Sequence, residues 1–216
     1  RFGAQHILDC ILRTTYDDWS RVKASELMEE STTSLELDSS LSDLLDLFAE
    51  TKFALAPITD KGELVGSIGI RDLLWVVYES KLPTEVTTIG STQILLKRDG
   101  MLRTAIETML KKRIRNLVLS ANVNDSKDKG DYIINDRKIL EFIFSYEGKK
   151  VMATGIGSDA FSNIRVDSLD MISASHVSQT ETVSRAANML RDINTPALLS
   201  ENQIITPWDV VMKTIW

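Results

Sequence analysis

Apolar residues recur at i, i+3, i+4 and i+7 in three separate stretches: Leu41, Leu44, Leu45 and Phe48; Leu102, Ala105, Ile106 and Met109; and Val183, Ala186, Ala187 and Leu190. Each set draws one apolar stripe along a helix. Behind every stripe come two short apolar runs split by a turn, then a junction into a second helix. These stretches read "FALAPITDKGELVGSIGIRDLL", "IRNLVLS…GDYIINDRKIL" and "TPALLSENQIITPWDVVM". The pattern predicts a repeated β-α-β-β-α unit of roughly 60 residues, too small to bury its own faces, so that neighbouring units must share a core. A further stripe, Ile7, Leu8, Ile11 and Leu12, opens the chain and resembles the tail of such a unit.

Local punctuation places the element ends. Ser40 with Asp43 forms a capping box ahead of the helix at 41–50, and Asp99 is the expected N-cap of the helix at 101–112. Asp60-Lys61-Gly62 and Glu201-Asn202 read as hairpin turns. The polar run "ANVNDSKDKG" reads as an enlarged hairpin loop, which costs little in closure entropy. A final helix is expected over 209–216. The Gly- and Ser-bearing stretch "EGKKVMATGIGSDAFSNIRVDS" has no helical period and is expected to be a linker with short extended pieces. The domain organisation predicted is a tail of a preceding unit at 1–20, units at 21–82 and 83–147, a linker at 148–165, and a short unit at 166–216.

Composition narrows the function classes. At 216 residues, 43% apolar and 26% charged, the chain falls in the ordinary globular range. A net charge of -6 and a pI near 5.1 argue against a broad nucleic-acid surface, which needs clustered Lys and Arg. The one basic run, Lys111-Lys112-Arg113 with Arg115, ends a predicted helix, where it complements the dipole. The single cysteine, Cys10, excludes an internal disulfide and a Cys-rich zinc site, and no metal site is expected. No apolar run reaches the ~20 residues that span a bilayer, so a cytoplasmic protein is predicted. Phosphate-loop, zinc-protease and nucleophile-elbow motifs are absent, and His6 and His176 belong to different units, so no catalytic residues are assigned.

The candidate chemistry lies at the junctions from strand to helix: Gly69-Ile70-Arg71-Asp72, Asn135-Asp136-Arg137-Lys138 and Thr206-Pro207-Trp208-Asp209. A carboxylate at the helix start can accept two hydrogen bonds from vicinal ribose hydroxyls, and a hydroxyl three residues earlier can hold phosphate. The plainer alternative is that Thr206 and Asp209 only cap the last helix.

The repeated "LAPITDKGELVGSIGIRDLL" and "LLSENQIITPWDVV" resemble cystathionine-β-synthase (CBS) motifs: an apolar strand with Pro, a Gly turn, and Gly-apolar-x-Ser/Thr-x-x-Asp entering a helix. The resemblance implies an α/β (α+β-like) fold of β-α-β-β-α CBS units paired through their sheets into Bateman-type modules. Pairing of the opening tail with 21–82, and of 83–147 with 166–216, follows from family architecture, with His6 at the aspartate position of the tail. Such modules often bind AMP, ADP, ATP or S-adenosylmethionine in clefts, as regulatory ligands and not as required cofactors. By resemblance, Thr206 would contact phosphate or ribose and Asp209 the ribose diol. Ile205, Ala197 and Leu198 would meet the adenine, with backbone around Ile172 reading its edge. At the first junction Asp72 and Arg71 would hold ribose and phosphate, although Gly69 replaces the hydroxyl. At the second, Asn135 can replace the hydroxyl, but Lys138 cannot accept from a diol, which leaves a more anionic ligand for Arg137 and Lys138. The implied function is non-catalytic sensing of adenine nucleotides, by a homodimer that signals to an effector protein. The alternative is a dimerising scaffold with degenerate clefts, using Trp75, Tyr78 or Trp216.

Overall fold

The computed structural model describes residues 3–28, 33–120, 132–153 and 155–216, so the polar run at 121–130 lies outside the described residues. Three helices open the chain: α1 (Ala4–Arg13), α2 (Tyr16–Trp19) and α3 (Ala24–Leu27). The first repeat runs β1 (Leu35–Glu36), α4 (Leu41–Thr51), β2 (Leu55–Asp60) and β3 (Glu63–Gly69), then a 3-10 turn into α5 (Leu74–Glu79). The second runs β4 (Ser91–Thr92), β5 (Leu95–Lys97), α6 (Leu102–Lys112), β6 (Asn116–Ser120), β7 (Tyr132–Asn135) and α7 (Asp136–Phe144). After α8 (Tyr146–Met152) and α9 (Gly157–Ala160), the third runs β8 (Ile172–Ser173), β9 (Ser175–His176), α10 (Val183–Leu190), β10 (Leu198–Ser200), β11 (Gln203–Ile205) and α11 (Pro207–Met212).

The stripes bury as their period demands. Leu44, Leu45 and Phe48 of α4, all four stripe residues of α6, and all four of α10 are buried, while Leu41 remains exposed at the first turn of α4. Ser40 caps α4: its hydroxyl oxygen accepts from the Asp43 N–H at 3.1 Å, and the Asp43 carboxylate accepts from the Ser40 N–H at 2.8 Å. The Ser40 hydroxyl, followed by its backbone N–H, holds the Asp43 carboxyl below its ordinary value. Between β2 and β3, Lys61 and Gly62 take φ of 54° and 83°, the left-handed pair that a tight hairpin requires.

Asp99 does not cap α6. Met101 occupies the cap position and offers no side-chain oxygen, and the Leu102 N–H donates instead to the Ile164 carbonyl at 2.7 Å. A backbone bridge from a distant segment has replaced the local side-chain cap.

The chain divides into two compact units: residues 1–30 with 93–174, and residues 31–92 with 175–216. In the second of these, the three-stranded sheet β1-β2-β3 and the four-stranded sheet β4-β11-β10-β9 share one core. Phe48, Leu74 and Val77 meet Ala187, Leu190, Leu198, Ile205 and Val211 there. In the other unit, the four-stranded sheet β5-β6-β7-β8 and α1 share a core of Leu8, Ile11, Leu102, Ile106, Met109, Ile139 and Phe161. The opening helix therefore buries its stripe with the second repeat, and the first repeat buries its stripe with the third.

The units cut across the expected boundaries at 82/83 and 165/166 because leading strands are exchanged. Ser91–Thr92, just ahead of the second repeat's β5, pairs antiparallel with β11 of the third repeat. Ile172–Ser173, just ahead of the third repeat's β9, pairs antiparallel with β7 of the second. The pairing expected of the opening tail with 21–82 and of 83–147 with 166–216 is not the one that forms: the opening helix shares its core with the second repeat and the first repeat shares its core with the third, while the second and third repeats exchange leading strands.

The linker expected at 148–165 is instead folded into α8, α9 and a 3-10 turn at Phe161–Asn163, with Met152 and Phe161 fully buried. Two of its three glycines, Gly148 and Gly157, serve close packing. A Cβ on Gly148 would overlap the Phe142 carbonyl oxygen and stand 2.8 Å from Ile143 Cα, and one on Gly157 would overlap the Ile11 carbonyl oxygen. Gly148→Ala and Gly157→Ala should each destabilise by about 1–3 kcal/mol, because backbone must move to admit the methyl group. Gly66→Ala, where a Cβ meets nothing within 4 Å, should change stability by less than ~0.5 kcal/mol. Urea unfolding of the three variants checks this, and equal midpoints would contradict the packing.

Candidate functional site

The third junction carries both polar groups expected of it. β11 ends at Ile205, Thr206 stands in extended conformation, and Pro207 fixes the first turn of α11. Three residues on, Asp209 turns back: its Oδ2 accepts from the Thr206 N–H at 2.9 Å and the Thr206 hydroxyl at 2.6 Å. The Asp209 N–H donates to Thr206 Oγ1 at 3.3 Å, so the dyad does form a helix cap. Two groups not assigned from sequence complete the cluster. Ser91 of β4 donates its hydroxyl to Asp209 Oδ1 at 2.7 Å, and Lys213 Nζ reaches the same oxygen at 2.7 Å. Asp209 is 5% exposed. Its carboxylate therefore sits in a small polar enclosure of hydroxyls, one backbone N–H and one ammonium.

The other assigned residues fall around two different cores. Ala197, Leu198 and Ile205 are buried, and Leu198 faces Ile205 across the β10-β11 ladder inside the core. Ile172 does not join them. It belongs to β8 in the other unit, opposite Ile133, because that leading strand is exchanged. Against β11 the corresponding place is taken by Ser91 and Thr92, which oppose Ile204 and Gln203.

At the first junction Asp72 keeps the cap geometry without a hydroxyl, accepting from the Gly69 N–H at 2.7 Å, and it is exposed. Arg71 turns toward the end of α10, donating to the carbonyls of Leu190, of Asp192 at 3.2 Å and of Thr195 at 2.9 Å. A guanidinium on terminal helix carbonyls satisfies acceptors that have no partner in the helix.

At the second junction Asn135 caps α7, its side-chain oxygen accepting from the Lys138 N–H at 2.8 Å. Arg137 pairs with Glu141 at 3.0 Å, and Lys138 pairs with Glu141 and Asp170. The Asp170 carboxylate, then that of Glu141, raises the Lys138 ammonium above its ordinary value, and Lys138 lowers Glu141. Asp136, passed over in the sequence, is the buried charge of this junction. Its carboxylate is 3% exposed and takes Arg115 Nε at 2.6 Å and Nη2 at 3.3 Å, while the Asp136 N–H donates to the Arg115 carbonyl. Arg115, read from sequence only as the end of a basic run, is thus half of a bidentate pair.

Residues 24–79 match the family model of the CBS domain. A solved protein from Methanocaldococcus jannaschii, described as a proposed archaeal homolog of g-AMPK, shares the fold. Its TM-score is 0.84 at 16% identity, over 99% of this chain and 82% of that one. An uncharacterised conserved protein from Pyrococcus horikoshii aligns at a TM-score of 0.66 and 16% identity, over 90% of this chain and 84% of that one. Comparison with curated proteins finds no match. No helix among the described residues is long and apolar enough to cross a membrane.

Two consequences can be measured. Arg115→Ala leaves the Asp136 carboxylate buried without its cation and, because the guanidinium itself is 62% exposed, should cost about 1–3 kcal/mol in urea unfolding. Lys138→Met should cost less than ~1 kcal/mol, because both acidic partners are exposed, Glu141 at 46% and Asp170 at 82%, and can turn to water. The sign follows from Glu141, which Lys138 depresses: that contribution is present above the ordinary value of 4.5 and is lost as pH falls through the lowered one. The difference between Lys138→Met and wild type should therefore shrink on acidification below about pH 4.

Proposed function

We propose that the chain is a non-catalytic regulatory module that takes an adenine nucleotide at the Thr206–Asp209 junction. The observation that carries this reading is the gathering of Thr206, Asp209 and Ser91 at one strand end. Asp209 offers the two acceptor oxygens a ribose diol needs, and the hydroxyls of Thr206 and Ser91 can serve ribose or phosphate. The CBS domain at 24–79 and the fold shared with a proposed g-AMPK homolog support it, since CBS clefts often hold such nucleotides. The adenine partners expected at Ala197, Leu198 and Ile205 lie within the core, so the base must meet other surfaces, and β4 is the edge that stands beside β11. Asp72, with its carboxylate exposed, is the second place for a ribose. The second junction, with Lys138 held by two carboxylates, is the least suited to an anion.

The alternative, a dimerising scaffold without ligand, draws on the same bonds, because Arg71, Lys138 and Asp209 each already have partners within the chain. Trp75 and Trp216 are exposed and could serve contacts between copies in a homodimer or with an effector protein. Thermal shift against AMP, ADP, ATP and S-adenosylmethionine separates the readings. Ligand at about 100 times its Kd should add about 2.7 kcal/mol of stability, a rise of roughly 5–10 °C for a chain of this size. Asp209→Ala should abolish the rise. No shift with any of the four compounds would favour the scaffold.

A further inference from the structure

We infer that Lys213 is an internal competitor for the proposed ligand, a latch that closes the Asp209 carboxylate against a ribose diol. The inference rests on the nucleotide reading of that site and adds a regulatory element to it. A carboxylate has about four acceptor positions. Those of Asp209 receive the Thr206 N–H and hydroxyl on one oxygen, and the Ser91 hydroxyl and Lys213 ammonium on the other. A diol can gain its two hydrogen bonds only by displacing some of these four.

The Thr206 pair is the helix cap and is local, three residues from its partner, so it re-forms wherever α11 forms. The Oδ1 partners come from elsewhere and are the ones that can leave. Lys213, the C-cap residue of α11, lies one turn beyond Asp209 with its N–H on the Asp209 carbonyl, and its side chain is 42% exposed. Its three N–H groups are matched by three acceptors: Asp209 Oδ1 at 2.7 Å, the Ile89 carbonyl at 2.7 Å and Ser91 Oγ at 3.0 Å. The ammonium therefore clamps the end of α11 to the residues that lead into β4, the strand beside the proposed site. Release of Lys213 frees an acceptor of Asp209 and loosens β4 in one step. A ligand that takes the diol position must pay the opening of this clamp, so its apparent affinity falls by the fraction of molecules with the clamp open.

The test measures binding of adenosine and of AMP to wild type, Lys213→Met and Ser91→Ala by calorimetry. Lys213 is half-exposed, so the methionine variant should stay folded, and Ser91→Ala, which removes a proposed ligand contact together with a partner of the ammonium, is the control in which a ligand contact is lost. With the lysine side chain 42% exposed and the aspartate side chain 6%, the pair is worth at least about 1 kcal/mol, which corresponds to roughly fivefold or more. Lys213→Met should bind both adenosine and AMP at least about fivefold tighter, and equally so, because the competition is for the diol and not for phosphate. Unchanged affinity for both, with Asp209→Ala still abolishing binding, would overturn the latch and leave the nucleotide reading standing. Weaker AMP with unchanged adenosine would also overturn it, by making Lys213 a phosphate contact. If wild type and both variants bind neither compound, the nucleotide reading fails and the latch fails with it.

Discussion

A hairpin strand with an unpaired edge is a liability in water, and the two four-stranded sheets of this chain meet it in the same way. The outer edge of β11 is paired by Ser91 and Thr92, and the outer edge of β7 by Ile172 and Ser173. In both cases the covering strand is two residues long and belongs to the segment that introduces the other repeat. The reciprocity makes neither repeat complete alone. It also sets where the compact units divide, since the chain passes from one to the other directly after β4 and directly after β8. The proposed site depends on this exchange, because Ser91 reaches Asp209 only as part of the strand that closes β11.

What the sequence shows well is what depends on short spacing. The stripes of α4, α6 and α10, the Ser40–Asp43 box, the Lys61-Gly62 turn and the Thr206–Asp209 pair are all set within seven residues, and each is found where the spacing puts it. The errors have the opposite character. Asp99 was a reasonable local cap, but the Ile164 carbonyl, far along the chain, satisfies the first turn of α6 instead. Gly148 and Gly157 look like linker residues until Phe142 and Ile11 are seen to occupy the space where a side chain would stand. Glycine as flexibility and glycine as absence of volume are identical in a sequence, and only the neighbours distinguish them.

The candidate site divides along the same line. Lys213 lies four residues after Asp209, so the ion pair could have been read from helical spacing. Ser91 could not, since it lies 118 positions away and arrives by strand exchange. Ile172 shows the complementary case: it precedes the third repeat in sequence but completes the sheet of the second. The Arg115–Asp136 pair is hidden in the sequence because Arg115 has a sufficient local reading as part of a basic run and its partner lies 21 residues away.

The three junctions share a backbone and differ in what their charges already do. Gly69–Asp72, Asn135–Lys138 and Thr206–Asp209 all place a polar group of the third helical position or its N–H against the strand end. At the first, the carboxylate is exposed and its neighbour Arg71 is committed to the carbonyls that end α10. At the second, a cation replaces the carboxylate and is neutralised by two acids. At the third, the carboxylate is buried and fully coordinated by the protein. Burial makes that group both the most valuable acceptor and the costliest to leave unpaired, so some internal donor must hold it whenever no ligand does. A lysine at the end of the same helix, with a half-exposed stem and water within reach, is a donor that can fill this role and still withdraw.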